Sequence, residues 1–161
     1  MQFMADGLEP SESVVNAVLS ASRALVAVAA RSLADAGEQV TLAQYRTLVV
    51  LASRGPTSLA QLAEAVGVAP ATATRMCDRL IRKGLIRRRA VKDNRRQVSL
   101  TLSEPGRHLI DDVTARRREE IERITNAMSS AEHDILVHAL RAFAHAAGVV
   151  PEQDWTTGWD L

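Results

Sequence analysis

The 161-residue chain is poor in aromatic residues and has a single cysteine. Phenylalanine, tryptophan and tyrosine together make up 3% of the residues, so the core is expected to consist of aliphatic side chains. These fill the interfaces of close-packed helices in well-defined rotamers, which favours a mainly helical fold. Cys77 has no second cysteine to pair with, which excludes an internal disulfide and fits a reducing compartment.

The sequence also shows no signal for export, membrane insertion or catalysis. No basic segment opens the chain, and no apolar run that we judge long enough for a signal peptide or membrane span follows, so we predict a cytoplasmic protein without membrane partners. Phosphate-binding glycine loops, zinc-protease motifs and serine-nucleophile motifs are missing. We therefore predict that the protein is not an enzyme and has no cofactor. Because His138 and His145 stand two helical turns apart, we predict no metal site.

Positive charge is concentrated in one segment. Residues 75–96 hold ten basic and two acidic residues and carry +8, while the whole chain carries only +1. The remainder is therefore acidic. A basic segment on an acidic body attracts a polyanion to one face and repels it elsewhere, which favours nucleic acid as the partner.

Apolar spacings of three and four, together with capping signals, predict six helices. Three of their starts carry the reciprocal capping pattern of a serine or threonine followed by glutamine or glutamate three residues later. The predicted helices cover residues 11–36, 41–53, 58–66, 70–84, a long stretch after Ser103, and a final stretch after Ser129.

Past Gly84 the apolar period changes from 3.6 to 2. Residues 85–90 and 97–102 are predicted strands, joined by turn residues at 92–94. Two short helices with a glycine-containing turn, followed by a basic hairpin, define a winged helix-turn-helix. The predicted fold is mainly α with a small β-wing (α+β), and the winged core is flanked by further helices at both ends.

A recognition helix presents its N-terminal residues to the major groove, which here places residues 69–75 against base edges. Thr72 and Arg75 are three apart and share a face. Arg75 either reads guanine or contacts a phosphate, while Arg79, Arg82 and Lys83 either reach phosphates or pair with Asp78. The predicted DNA-binding residues are Ser58, Ala71, Thr72, Thr74, Arg75, Arg79, Arg88, Asp93, Arg95 and Arg96.

The hairpin tip is predicted to enter a neighbouring minor groove, whose negative potential attracts arginine. Arg95 is the predicted inserted residue, and Asp93 orients it by a charge-assisted hydrogen bond. Alternatively, Asp93 is a turn residue that bonds its own backbone.

Residues 58–110 resemble the winged core of the MarR family of transcriptional regulators, and the similarity extends over about residues 41–110. The features that carry it are the helix-turn-helix, a lysine and glycine after the recognition helix, the acidic-x-arginine wing tip, and a strand that leads into a helix with glycine in its first turn. The resemblance assigns Asp93 and Arg95 to the wing tip, and Thr72, Thr74 and Arg75 to DNA contact.

This resemblance implies an obligate homodimer that binds a palindromic operator through recognition helices about 10 base pairs apart. It further implies a repressor that leaves its operator when a small phenolic or anionic ligand binds; it does not assign the ligand-binding residues. Residues 1–40 and 103–150 are then the dimerisation body, 41–102 the DNA-binding lobe and 151–161 a tail. The implied dimerisation residues are Val14, Val18, Ile135, Leu136, Leu140 and Phe143.

Two alternatives stay open. One is a winged-helix module that binds protein and not DNA; the other is a regulator that responds to redox state or a metal. Cys77 is predicted to be a buried, inert thiol, although nearby arginines would activate it if it were exposed. Trp155 and Trp159 belong either to a disordered tail or to a segment that docks onto the partner subunit.

Overall fold

The computed structural model describes residues 11–36, 40–91 and 94–149, without the side chains of residues 91 and 94–97. Gly37, which follows the first predicted helix, and the tail with Trp155 and Trp159 lie outside these residues. Six helices and one hairpin are described: α1 Glu12–Asp35, α2 Leu42–Arg54, α3 Leu59–Val66, α4 Pro70–Arg82, β1 Ile86–Val91, β2 Asn94–Leu102, α5 Glu104–Thr125 and α6 Ser130–Ala146. The mainly helical fold with a small β-wing is confirmed.

The predicted capping patterns are all formed. Thr41, Ser58 and Ser129 each accept a hydrogen bond from the backbone amide three residues later, and the side chain at that third position returns a bond to the cap backbone. Because these reciprocal bonds satisfy amides that a helix otherwise leaves unpaired, they fix where α2, α3 and α6 begin.

The hairpin is antiparallel and pairs Ile86 with Leu102 and Ala90 with Val98. Its second strand begins at Asn94, three residues earlier than the sequence predicts, because backbone pairing extends past the end of the apolar alternation. Thr57, before α3, adds a bridge to β2: its amide donates to the Leu100 carbonyl at 3.1 Å, and the Leu100 amide donates back at 2.8 Å.

One aliphatic core joins the helix-turn-helix, the hairpin and the start of α5. Leu48, Leu51 and Leu80 are 0% exposed. Around them pack side chains from the other elements, including Leu62 from α3, Ile86 and Leu100 from the hairpin, and Leu109, Ile110 and Val113 from α5. The helix-turn-helix, the hairpin and the start of α5 therefore share one interior, to which α1 contributes Leu33.

Helix α1 is tied to α5 by charge. Arg31 Nη2 lies 2.7 Å from Glu120 Oε1, and Arg123 bonds the other oxygen of the same carboxylate. These two bonds, from Arg123 first and Arg31 second, hold the pKa of Glu120 below its ordinary value. The carboxylate therefore stays ionised, and keeps both partners, to a lower pH than an ordinary glutamate would.

The prediction that no run is apolar enough to span a membrane is wrong for α1. By length and composition Glu12–Asp35 meets that requirement: an 18-residue window has a mean hydropathy of 1.6, and 6% of it is buried. Membrane spans, apolar packing helices and N-terminal signal segments all share these properties. The apolar surface of α1 is considered below together with that of α6.

Candidate nucleic-acid interface

The recognition helix α4 is positioned by a tight turn after α3. Gly67 ends α3 with a φ of +76°, in the left-handed region that favours glycine, and α4 begins at Pro70. Proline suits this first turn because its amide would have no helical partner. The face of α4 that packs on the core carries Ala73, Met76, Cys77 and Leu80. The opposite face is therefore turned outward.

Two threonines and an arginine lie on the outward part of α4. Arg75 Nη2 is 3.5 Å from Thr72 Oγ1, so these side chains share a face, as their spacing predicts. Thr74 Oγ1 donates to the Pro70 carbonyl oxygen at 2.9 Å. With its proton engaged in this bond, the Thr74 hydroxyl is left to accept hydrogen bonds from a DNA base or water.

The other predicted DNA contacts are placed as follows. Ala71 and Arg79 are exposed on α4, and Ser58 is half-buried at the start of α3, where its hydroxyl donates to Gln61 Oε1 at 3.0 Å. Asp93 lies outside the described residues, as do the side chains of Arg95 and Arg96. The wing-tip assignment therefore stays a prediction.

Arg88 has a protein partner. Its Nη2 lies 2.6 Å from Asp78 Oδ1, and the two side chains are 51% and 46% exposed. The sequence suggests Arg79, Arg82 or Lys83 as the side chain that pairs with Asp78, whereas the structure gives that place to Arg88. A salt bridge ten residues apart in sequence thus joins the recognition helix to β1.

The end of α4 is joined to α5 by Ser103 and Gly106. Ser103 Oγ donates to the Gly84 carbonyl oxygen at 2.6 Å and accepts from the Gly106 amide at 3.1 Å. A Cβ at Gly106 would lie 2.1 Å from the Leu85 carbonyl oxygen. Glycine therefore lets α5 approach the backbone that leads into the hairpin.

Cys77 is 0% exposed in the core face of α4, as predicted. Burial raises the pKa of its thiol, because an apolar surrounding disfavours the thiolate. The thiolate is the reactive form, so this cysteine is poorly placed for redox chemistry.

We expect a disulfide exchange reagent such as Ellman's reagent to label the folded protein at pH 8 at least roughly 100-fold more slowly than the chain unfolded in guanidinium chloride. The chain has one cysteine, so the signal reports Cys77 alone. Equal labelling rates in the folded and unfolded protein would contradict its burial.

Two neighbouring cavities lie between α2 and α5, and the larger one also reaches α1. The larger, of about 580 Å³, reaches the turn between α3 and α4 and is lined by Ala29, Leu42, Ala43, Tyr45, Arg46, Val49, Val66, Gly67, Val68 and Arg117. The smaller, of about 390 Å³, shares Tyr45, Val49 and Arg117 with it. Arg117 Nε is buried and has no hydrogen-bond partner among the described residues. Apolar periodicity does not single out Arg117, which stands in a run of three arginines.

The predicted dimerisation residues lie on two exposed apolar surfaces. On α1, Val14 is 53% exposed, and Val18 is half-buried. None of the described residues of α6 is buried, and its side chains Ile135, Leu140 and Phe143 are 70%, 47% and 53% exposed, while Leu136 is half-buried. Exposed apolar surface of this extent marks a contact site.

Comparison with known proteins agrees with this architecture. The MarR family model matches residues 40–98. The chain is 30% identical over 119 residues to the HTH-type transcriptional repressor MdtR of Bacillus subtilis, covering 74% of this chain and 77% of MdtR. The crystal structure of RV1404 from Mycobacterium tuberculosis superposes with a TM-score of 0.83 at 43% identity, covering 89% of this chain and 97% of that one. BpsR of Bordetella bronchiseptica, whose DNA binding is regulated by 6-hydroxynicotinic acid, superposes with a TM-score of 0.60 at 25% identity, covering 84% of this chain and 96% of BpsR.

The fold and the basic surface define a winged helix-turn-helix protein of the DNA-binding class. The chain belongs to the MarR family of transcriptional regulators.

Proposed function

We propose that the protein is a homodimeric, cytoplasmic repressor that binds a palindromic operator and leaves it when a small ligand binds. The observation that carries the proposal is the +8 segment, residues 75–96, which falls on the recognition helix and the hairpin of one compact module. The proposed DNA contacts are nine of the ten residues predicted from the sequence, because Arg88 pairs with Asp78 and is given a different role below.

In this proposal, residues 1–40 and 103–150 form the dimer body, and residues 41–102 form the DNA-binding lobe. The exposed apolar side chains of α1 and α6 support it, because a second copy would remove them from water. The apolar composition of α1 then reflects packing against a partner helix.

The salt dependence of DNA affinity tests the proposed DNA binding. The protein is first used to select a DNA duplex from a random-sequence pool, and its affinity for that duplex is then measured by fluorescence anisotropy. We expect the affinity to fall by orders of magnitude between about 50 and 200 mM salt, because phosphate contacts release counterions. A protein-binding winged module would enrich no sequence and would depend weakly on salt. Failure of the selection would therefore favour that alternative.

Arg95→Ala is expected to weaken operator binding by about 1 to 3 kcal/mol and to leave the dimer intact. The expected loss follows from the predicted insertion of this arginine into the minor groove. Anisotropy gives the affinity, and sedimentation gives the oligomeric state. Normal operator binding by this variant would remove the wing-tip assignment.

We further propose that the releasing ligand is an aromatic anion bound in the larger cavity. Apolar walls and the two cations Arg46 and Arg117 suit such a molecule, as does Arg117 Nε, which has no hydrogen-bond partner in the part of the chain that the structure describes. The cavity also touches Gly67, in the turn that leads into the recognition helix. A ligand there would act on the lobe by binding one lobe position more tightly than the other.

Arg117→Gln is expected to weaken binding of an aromatic carboxylate by about 10- to 100-fold, through loss of a charge-assisted hydrogen bond. Calorimetry with 6-hydroxynicotinic acid and a panel of hydroxybenzoates measures this affinity, and operator release is scored alongside. Arg116→Gln is the matched control, because Arg116 is exposed on the same helix and does not line either cavity. Equal losses in both variants would place the ligand elsewhere.

A further inference from the structure

We propose that the salt bridge between Asp78 and Arg88 holds the wing in position against the recognition helix, and that operator discrimination depends on this tie. The inference rests on the proposed function and assigns Arg88 a positioning role in place of a DNA contact. The proposal thus identifies a pair of residues that connects the recognition helix to the wing.

The location of the pair along the hairpin supports this role. At the base of the hairpin, Ile86 and Leu102 are buried in the core, being 1% and 8% exposed. Further out, Ala90 and Val98 pair with each other and are both exposed. Arg88 stands between these two pairs, opposite the buried Leu100, so its bond to Asp78 attaches β1 to α4 at the point where the buried part of the hairpin ends.

The charges support it as well. Asp78 is one of two acidic residues in the +8 segment, and a bare carboxylate there would repel DNA phosphates. Arg88 covers that carboxylate at 2.6 Å, so the pair is neutral. The arginine is thereby withheld from the phosphates, where it would bind every sequence equally.

Both side chains are about half exposed, so in free protein the pair contributes little to stability. Against a duplex, water is displaced and the same attraction becomes stronger. The salt bridge therefore has its main effect when the recognition helix and the wing bind adjacent grooves at the same time. In that complex, the relative position of helix and wing determines which operator fits.

The test compares Asp78→Asn, Arg88→Gln, Arg88→Lys and the double variant Asp78→Asn with Arg88→Gln. Each is titrated with the selected operator and with a scrambled duplex of equal length at several salt concentrations. Asp111→Asn is the matched control, because it makes the same change of charge at an exposed position on α5. Thermal melting and sedimentation verify that each variant is folded and dimeric.

Asp78→Asn is expected to release Arg88 to the phosphates, so that affinity for the scrambled duplex rises about 3- to 10-fold and the salt slope steepens by about 0.9. Arg88→Gln leaves Asp78 bare and is expected to weaken both duplexes. Arg88→Lys keeps the charge and the partner and is expected to retain most discrimination. Asp111→Asn is expected to leave the ratio of the two affinities unchanged.

The double variant decides the question, since it restores the wild-type charge without the tie. We expect scrambled-duplex affinity and salt slope to match wild type, while operator affinity falls about 5- to 20-fold. If this variant discriminates between the two duplexes as well as wild type does, the proposal is overturned. Asp78 and Arg88 would then only neutralise each other's charge. Failure of the wild-type protein to select any operator would instead overturn the proposed function.

Discussion

Phe143→Asp is expected to leave the protein monomeric and to weaken operator binding by at least about 100-fold, because two linked lobes bind a palindrome far more tightly than one. In the single chain Phe143 is 53% exposed and shares the apolar face of α6 with Ile135 and Leu140. A carboxylate buried in the proposed dimer interface would lose its hydration, and this desolvation would oppose association. Sedimentation equilibrium and anisotropy measure the two effects.

His138→Asp is the control for this substitution. It introduces the same side chain on the same helix, but at about 100° per residue His138 lies with Asp134 and Arg141 on the polar side. We expect it to remain dimeric and to bind the operator normally. If Phe143→Asp stays dimeric, the apolar face of α6 is not the interface.

Gly106→Ala is expected to destabilise the fold by about 3 kcal/mol or more, which corresponds to a melting temperature lower by roughly 6 to 12 °C. The added Cβ would lie 2.1 Å from the Leu85 carbonyl oxygen and 2.9 Å from Leu102 Cδ1. Leu85 is 2% exposed, so its backbone has little room to retreat. The same carbonyl accepts from the Ser103 amide at 3.1 Å, and that bond would also be strained.

Gly67→Ala separates steric clash from backbone strain. At Gly67 nothing lies within 4 Å of an added Cβ, but the φ of +76° disfavours any other residue. We expect this variant to lose only about 1 kcal/mol. Denaturant unfolding of both variants gives the comparison, and equal losses would show that α5 can move away from Leu85.

The features that the sequence predicts well are local. The reciprocal caps at Thr41, Ser58 and Ser129 depend on residues three apart, and the core face of α4 follows from helical spacing. Contacts between distant residues leave no such pattern. Asp78 has three nearer basic neighbours on its own helix, yet it pairs with Arg88, because the hairpin folds back against α4.

The start of β2 and the character of α1 were predicted less well for related reasons. Alternation in β2 is visible only from residue 97, whereas the backbone pairing begins at Asn94 and owes nothing to side-chain polarity. In α1, only 6% of the apolar window is buried in the single chain. A composition shaped by packing on another subunit resembles one shaped by lipid, and one sequence does not separate them.

The two hydrogen bonds between Thr57 and Leu100 bear on how a ligand signal would cross the molecule. They fasten the segment before α3 to β2 at 3.1 and 2.8 Å, so we expect α3, α4 and the hairpin to move together. The proposed ligand, bound beside Gly67, would then shift α3, α4 and the hairpin together relative to α1 and α5. Release from the operator would then occur because the spacing of the two lobes no longer matches the helical repeat of DNA. Each lobe would keep its internal structure.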